Sequence, residues 1–242
     1  MKIVTLNTWS GILHAQLLKF FLSHKEVDIF CLQEIYNNAQ GKLRPDETGE
    51  YALDLYSEIA SILDSHLGFF SPLLGAYYGL AIFITKKLRL IEEGAILVHE
   101  SRSTSHIAEH SRKLQYLRFE YDNREFLLGN VHGLWNGKGK GDSGDRIRQS
   151  EAIADFMTSH RGSKILCGDL NLAPDTESVR ILEQNMRNLI TEHEVNSTRT
   201  SYYSKAERFS DYIFVSPDIS VGHFDVLPEQ VSDHSALYLE IT

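Results

Sequence analysis

The chain has 242 residues, 42% hydrophobic and 24% charged, the balance of a folded protein whose core needs no disulfide or metal staples. Lysine and arginine number 24 against 33 aspartate and glutamate, a formal net charge of −9, and no basic stripe is present of the kind that holds nucleic acid by phosphate neutralisation. Cys31 and Cys167 each sit within an apolar run and read as buried free thiols, not a disulfide framework. The opening MKIVTLNTW lacks the parts of a signal peptide, and no apolar run reaches membrane-spanning length, so a cytoplasmic monomer is expected.

In chain order, Lys2–Leu6 reads as a strand, followed by a turn at Ser10-Gly11 and a helix with Leu13, Leu17, Phe20 and Phe21 on one face. Asp28–Gln33 reads as a buried strand ending at Glu34. Asn37–Gly49, with Gly41, Pro45 and Gly49, reads as a surface loop. A second helix carries Leu55, Ile59, Ile62 and Leu63. Leu80–Thr85, Ala95–His99, Leu114–Tyr121 and Glu125–Val131 read as strands, the last two joined by an Asp122-Asn123 hairpin turn. Gly133–Gly144 is rich in glycine and lysine and reads as a mobile, solvated loop. A helix then spans Asp145–His160, with Ile147, Ile153, Ala154 and Met157 on one face. Lys164–Gly168 reads as a strand, Pro174 precedes a short helix, and Asp211–Val215, Val221–Val226 and Ala236–Ile241 close the chain as strands. No repeat, linker or low-complexity stretch divides residues 1–242, which read as one α/β domain of at least two packed layers.

The informative feature is polar residues at the ends of apolar strands. Asn7 follows Ile3–Leu6, Glu34 follows Ile29–Leu32, Asn130 and His132 end Phe126–Leu128, Asp169 and Asn171 follow Ile165–Cys167, and Asp233-His234 precede Leu237–Leu239. A carboxylate there loses water unless it is paired, hydrogen-bonded or bound to a metal. Several converging on one sheet edge would make a hard oxygen site suited to Mg²⁺ or Mn²⁺. No HExxH or paired CxxC spacing argues for zinc, so histidine is expected as acid, base or hydrogen-bond donor.

Taken together, the segments LNTW (6–9), LQE (32–34), GNVHG (129–133), GDLN (168–171), SDYIFVS (210–216) and SDH (232–234) resemble, in order, the signatures of the endonuclease/exonuclease/phosphatase superfamily. That resemblance implies a four-layer sandwich: two mixed β-sheets packed face to face with helices outside, and an active site at one edge. It also implies roles. Glu34 would be the principal metal ligand with Asn7 beside it, and Asp233 would be a further metal contact or would orient a histidine. Asp169 would orient or deprotonate the attacking water, helped by Asn171. His234, oriented by Asp211, would contact the scissile phosphate, and His132, with Asn130 nearby, would stabilise the phosphate or assist the leaving group.

The implied activity is Mg²⁺-dependent hydrolysis of a phosphodiester or phosphomonoester by water, with Mn²⁺ as an alternative cation. The substrate would be a small molecule, a lipid headgroup or a nucleic acid. A metal-dependent nuclease is the alternative within enzymes, and a catalytically silent binding module on the same fold is the alternative outside them. The stretch after His132 does not match the tyrosine-bearing signature expected of abasic-site endonucleases. Lys138, Lys140, Arg146 and Arg148 form a local basic patch that reads as a solvated loop, with contact to a substrate's second phosphate as the alternative; Tyr77 and Tyr78 read as core or rim, with stacking on a base or sugar as the alternative, and His99, His106 and His110 as structural.

Overall fold

A computed structural model describes residues 1–43, 49–101 and 110–242; His106 lies outside them. Among the described residues, twelve strands form two six-stranded mixed sheets. The first has the order β11-β12-β1-β2-β4-β3, from β1 (Lys2–Asn7), β2 (Ile29–Tyr36), β3 (His66–Leu74), β4 (Tyr78–Thr85), β11 (Val221–Val226) and β12 (Leu237–Ile241). The second has the order β5-β6-β7-β8-β10-β9, from β5 (Arg89–His99), β6 (Arg112–Tyr121), β7 (Arg124–His132), β8 (Ser163–Asp169), β9 (Arg187–Asn188) and β10 (Asp211–Val215).

Each sheet has one parallel pair, at its centre: β1 with β2, and β7 with β8. Parallel neighbours need a crossover, supplied by α1 (His14–Ser23) in the first sheet and α3 (Gly144–Ser159) in the second. The remaining helices are α2 (Leu55–Ile62), α4 (Glu177–Glu183) and α5 (Leu189–Glu192).

Side chains alternate across a strand, which explains how the layers fill. Ile3, Ile29 and Cys31 join Leu117, Phe119, Leu128, Ile165 and Ile213 in a core shared by the two sheets. The alternate residues Val4, Leu6, Phe30 and Leu32 pack outward with Leu17, Phe21, Leu55 and Ile59 of α1 and α2. Both cysteines are buried and free, as expected. Burying each such large apolar side chain contributes roughly 1.5–3 kcal/mol, which makes the central strands a rigid platform for the polar residues at their ends.

The structure departs from the sequence reading at β3, β5 and α3, and it adds the short elements β9 and α5. Strand β3 was not anticipated, because Gly68 and Pro72 interrupt its pattern; it is an edge strand, where proline is tolerated. Strand β5 begins at Arg89, six residues earlier than Ala95; its charged, exposed first half protects the edge of the second sheet. Helix α3 buries Arg146, Gln149 and Ser150 as well as Ile153 and Met157, while Ile147 stays half-exposed. Its N-terminal half therefore packs a polar face, for a reason that lies in the loop before it.

Among the described residues, no helix is long and apolar enough to cross a membrane.

Candidate active site

The two central parallel pairs deliver the strand-end residues to one edge of the sandwich. Asn7, the last residue of β1, lies in register with Gln33 of β2. The next residue, Glu34, falls where the β2–β4 register shifts and has a left-handed backbone, φ 59°. A bulge of this kind re-aims a side chain, and Glu34 lines a cavity of about 380 Å³. In the second sheet, His132 of β7 and Asp211 of β10 are both register partners of Asp169, so Asp169 sits between them. The preceding Gly168 has φ 137°, and a Cβ there would lie 2.0 Å from the Val131 carbonyl oxygen; only glycine lets β8 approach β7 so closely.

Asp169 is the hub. Its Oδ1 accepts from the Asn171 backbone N–H at 2.8 Å and from the Ser210 hydroxyl at 2.5 Å. Its Oδ2 accepts from the Asn7 amide at 3.0 Å, and the same amide donates to Glu34 Oε1 at 3.1 Å. Two imidazoles face that Oδ2, with Nε2 of His132 and Nε2 of His234 each 3.7 Å away. Burial alone would raise the Asp169 carboxyl, but His234, Lys140, His132 and Arg199 outweigh it and hold the group far below the usual carboxylate range. Glu34 moves the other way. Burial raises it, Asp233 and Asp169 add repulsion, and His234 and the Asn7 amide offset only part of this.

The two histidines shift in opposite directions because their neighbours differ. His234 Nδ1 lies 2.9 Å from both oxygens of Asp211, whose Oδ2 also accepts from Thr198 Oγ1 at 3.0 Å. Burial would lower His234, but Asp211 more than offsets it, and the pKa lies above its ordinary value. His132 is pushed well below its ordinary value by burial and by the charge of Arg112.

Of the sequence-predicted residues, Glu34, His132, Asp169, Asn171, Asp233 and His234 line the cavity. Asn7 and Asp211 stand behind them in direct contact. Asn130 does not join the site, contrary to expectation. Its amide nitrogen donates to the Leu32 carbonyl (3.1 Å), the Ala81 carbonyl (3.2 Å) and Gln115 Oε1 (3.3 Å), and its oxygen accepts from Gln33 Nε2 at 2.7 Å. It ties the two sheets together beneath the cavity. Asn171 reaches Asp169 through its backbone N–H, since its side chain accepts from Lys140 and donates to the Gly133 carbonyl.

Gly133–Gly144, expected as a mobile, solvated segment, is held from both sides. Arg146 is buried and donates to the carbonyls of Leu134 (3.2 Å), Gly139 (2.9 Å) and Gly141 (2.5 Å). Gln149 accepts from the Leu134 N–H at 3.0 Å, and Asp142 caps the first turn of α4 through the Glu177 and Ser178 N–H groups. The polar face of α3 exists to hold this loop. Lys140 is consequently buried, with its ammonium on Asn171 Oδ1 and Ser210 Oγ, whereas Lys138 and Arg148 are exposed.

Sequence reasoning missed much of the remaining wall. Trp9, Tyr51, Arg112, Trp135, Arg199, Tyr203 and Lys205 also line the cavity. Arg112 opens an ordinary-looking strand and Arg199 lies in a polar loop, so neither carried a local signal. His110, read as structural, is buried with its ring 6.1 Å from Tyr78, and Tyr78 itself is wholly buried, as a core residue should be.

The donor chemistry fits a hard divalent cation. Glu34, Asp169 and Asp233 present carboxylate oxygens to one cavity, and the Glu34 carboxyl is raised chiefly by burial, with a smaller contribution from the neighbouring Asp233 and Asp169, a desolvated oxygen set that a cation would satisfy. Asp169, Asp211 and His234 also lie close enough to share an ion. Asp211 and His234 Nδ1, however, are already bound to each other, and Asp211 does not line the cavity, whose carboxylates are Glu34, Asp169 and Asp233.

The model of the endonuclease/exonuclease/phosphatase family matches residues 4–234. No curated protein matches the chain in sequence. Among solved structures, a mannosyl-6-phosphatase from Bacteroides thetaiotaomicron VPI-5482 superposes with a TM-score of 0.77 at 17% identity, covering 100% of this chain and 99% of that one. A humanized D. rerio TDP2 gives 0.76 at 16% identity, covering 100% and 98%. The human Nocturnin catalytic domain with bound sulfate gives 0.70 at 18% identity, covering 100% and 94%. These likenesses concern the fold. With the matched family model and the clustered strand-end residues, they support one conclusion: the chain belongs to the endonuclease/exonuclease/phosphatase family and is a phosphoester hydrolase.

Proposed function

We propose that residues 1–242 form one catalytic domain that hydrolyses a small phosphate ester with water, using Mg²⁺ or, in its place, Mn²⁺. The observation that carries this reading is the position of Asp169 Oδ2, 3.7 Å from Nε2 of both His132 and His234 and tied through the Asn7 amide to Glu34. A phosphate ester is an anion, and its attack by water needs an ionised acceptor for the water's hydrogens and positive groups for the phosphoryl oxygens.

Glu34 would hold the cation, with Asp233 and Asp169 as further oxygens. When bound, the cation offsets phosphoryl charge and favours deprotonation of water. Asn7 fixes the carboxylates of Glu34 and Asp169 relative to each other, since its own oxygen accepts from the Trp9 N–H at 3.0 Å. Asp169 stays ionised and orients the water, while Asn171 and Ser210 hold its other oxygen. His234, kept protonated by Asp211, binds the phosphoryl oxygens. His132, neutral, donates a hydrogen bond to the phosphate or to the leaving oxygen.

The test is hydrolysis of a panel of sugar phosphates, inositol phosphates, phospholipids, simple diesters, RNA, and single-stranded and duplex DNA. It is run in Mg²⁺, in Mn²⁺ and in chelator, with Asp169→Asn as control. Metal-dependent turnover that vanishes in the variant is expected; turnover indifferent to chelator and to the variant sinks the reading. The aromatic groups Trp9, Tyr51, Trp135 and Tyr203 on the cavity wall give the nuclease alternative its one support, as stacking surfaces for bases. Cleavage of nucleic acid that weakens steeply with salt is the result that favours it.

A further inference from the structure

The segment that follows β1 does more than deliver Asn7, because its residues close around Glu34 on three sides. Thr8 Oγ1 donates to the backbone carbonyl of Glu34 at 3.1 Å and to that of Gln33 at 3.0 Å. The Asn7 amide donates to Glu34 Oε1 at 3.1 Å, and the Ser10 hydroxyl donates to Oε2 at 3.3 Å. Ser10 is buried, and it lines the cavity together with Glu34. The backbone and both carboxylate oxygens of Glu34 are thus held from one stretch of four residues.

The backbone that places the Ser10 hydroxyl is strained. Trp9, Ser10 and Gly11 are successive left-handed residues, with φ 50°, 53° and 73°, and the first two carry a Cβ, for which this region is disfavoured. Several contacts hold them there. The Trp9 N–H donates to Asn7 Oδ1 and the Gly11 N–H to the Thr8 carbonyl, each at 3.0 Å. From the segment before α2, the Ala52 N–H donates to the Ser10 carbonyl at 3.0 Å. Gly11 is required for that approach, since a Cβ there would lie 2.5 Å from the Ala52 Cβ. Strain maintained by so many restraints marks a place where a side chain has to be aimed, and the Ser10 hydroxyl is aimed at Glu34.

A glutamate side chain has three torsions, and freezing them opposes cation binding unless the carboxylate is already fixed. A donor on Oε1 alone leaves the carboxylate free to turn about its last torsion; a second donor on Oε2 removes that freedom. A neutral hydroxyl does this without cancelling the negative charge that a divalent cation needs, and each oxygen keeps a second acceptor position. We infer that Ser10 is a positioning residue for the cation, presetting the Glu34 carboxylate to receive Mg²⁺ or Mn²⁺. The inference rests on the reading of Glu34 as the cation's ligand, and it assigns Ser10 no step in the hydrolysis.

The test is Mn²⁺ binding in the absence of substrate, followed through the electron paramagnetic resonance of the free ion, with thermal unfolding of each metal-free variant alongside. Ser10→Ala and Ser10→Gly both remove the hydroxyl, but glycine also relieves the left-handed backbone. Both are expected to weaken Mn²⁺ binding by about tenfold, as loss of a residue that holds a metal ligand does, with Ser10→Gly unfolding at the wild-type temperature. Glu34→Gln is the reference and should weaken binding further. Wild-type affinity in both Ser10 variants, beside weakened binding in Glu34→Gln, overturns the role of Ser10 and leaves Glu34 as the ligand. A loss seen in Ser10→Ala but not in Ser10→Gly, or seen only with a lowered unfolding temperature, assigns the effect to the backbone and also overturns the inference. No saturable binding to the wild-type chain, or equally tight binding in Glu34→Gln, overturns the reading of Glu34 itself and the inference with it, so the two failures are distinguishable.

Discussion

The floor and the rim of the cavity are built by different rules. The floor consists of Glu34, Asp169, His132 and the Asp211–His234 pair. All come from the ends or immediate flanks of strands, and each is fixed by hydrogen bonds or by register partners in rigid sheets. The rim, comprising Trp135, Lys140, Arg199, Tyr203 and Lys205, comes from loops that are themselves tied down by buried polar contacts. Strand ends supply positional accuracy, which bond-making needs; tethered loops supply a surface whose chemistry can vary independently of the core. Floor substitutions should therefore alter the chemical step, and rim substitutions should alter which substrate is taken.

The largest effect is expected at the hub. Asp169→Asn should lower kcat by about 10³-fold or more, through loss of the water-orienting carboxylate and of the charge facing both imidazoles. Steady-state kinetics check this, and a loss confined to KM would break the distinction between floor and rim. Glu34→Gln should act through the cation, raising the Mg²⁺ concentration needed for half-maximal activity by about 10–100-fold, as measured by metal titration at fixed substrate.

Asp211→Asn tests the charge of His234. On the proposed mechanism His234 is protonated when it binds phosphate, and its pKa is raised in the folded protein. Activity is therefore retained below that value and lost as pH rises through it. Removing Asp211 lowers the pKa, so the alkaline limb of kcat/KM should move to lower pH, with activity at neutral pH down by about tenfold. An unmoved limb would mean that His234 is not the group titrating. Arg146→Met should cost about 2–3 kcal/mol of stability, because it leaves the Leu134, Gly139 and Gly141 carbonyls without their buried donor. Thermal unfolding measures it, and the loosened Lys140 should also raise KM. The smallest effect is expected from Trp135→Ala, which should raise KM by a few-fold with kcat little changed.

This division also explains what was readable before the fold was known. The floor was legible because β-strands declare themselves by apolar runs, and a carboxylate, amide or histidine just past such a run is out of place unless something uses it. Asn130 obeyed the same pattern and was misassigned, since position at a strand end does not reveal whether a side chain faces the cavity or the opposite sheet. The rim was nearly silent. Lys140 lies in a glycine- and lysine-rich stretch that looks solvated, and its burial follows from Arg146, whose three carbonyl partners lie five to twelve residues away. Strand β3 was missed because edge strands tolerate glycine and proline, the residues that mark breaks elsewhere.

The Asn130 tie has a mechanical consequence. Its four contacts reach Leu32, Gln33 and Ala81 in one sheet and Gln115 in its own, so the sheets cannot slide or part without breaking several buried hydrogen bonds at once. The gape of the cleft is thereby a constant of the scaffold. A bulkier ligand must be admitted by different loops above and not by breathing of the layers below, and altered selectivity can be sought in those loops without reopening the core.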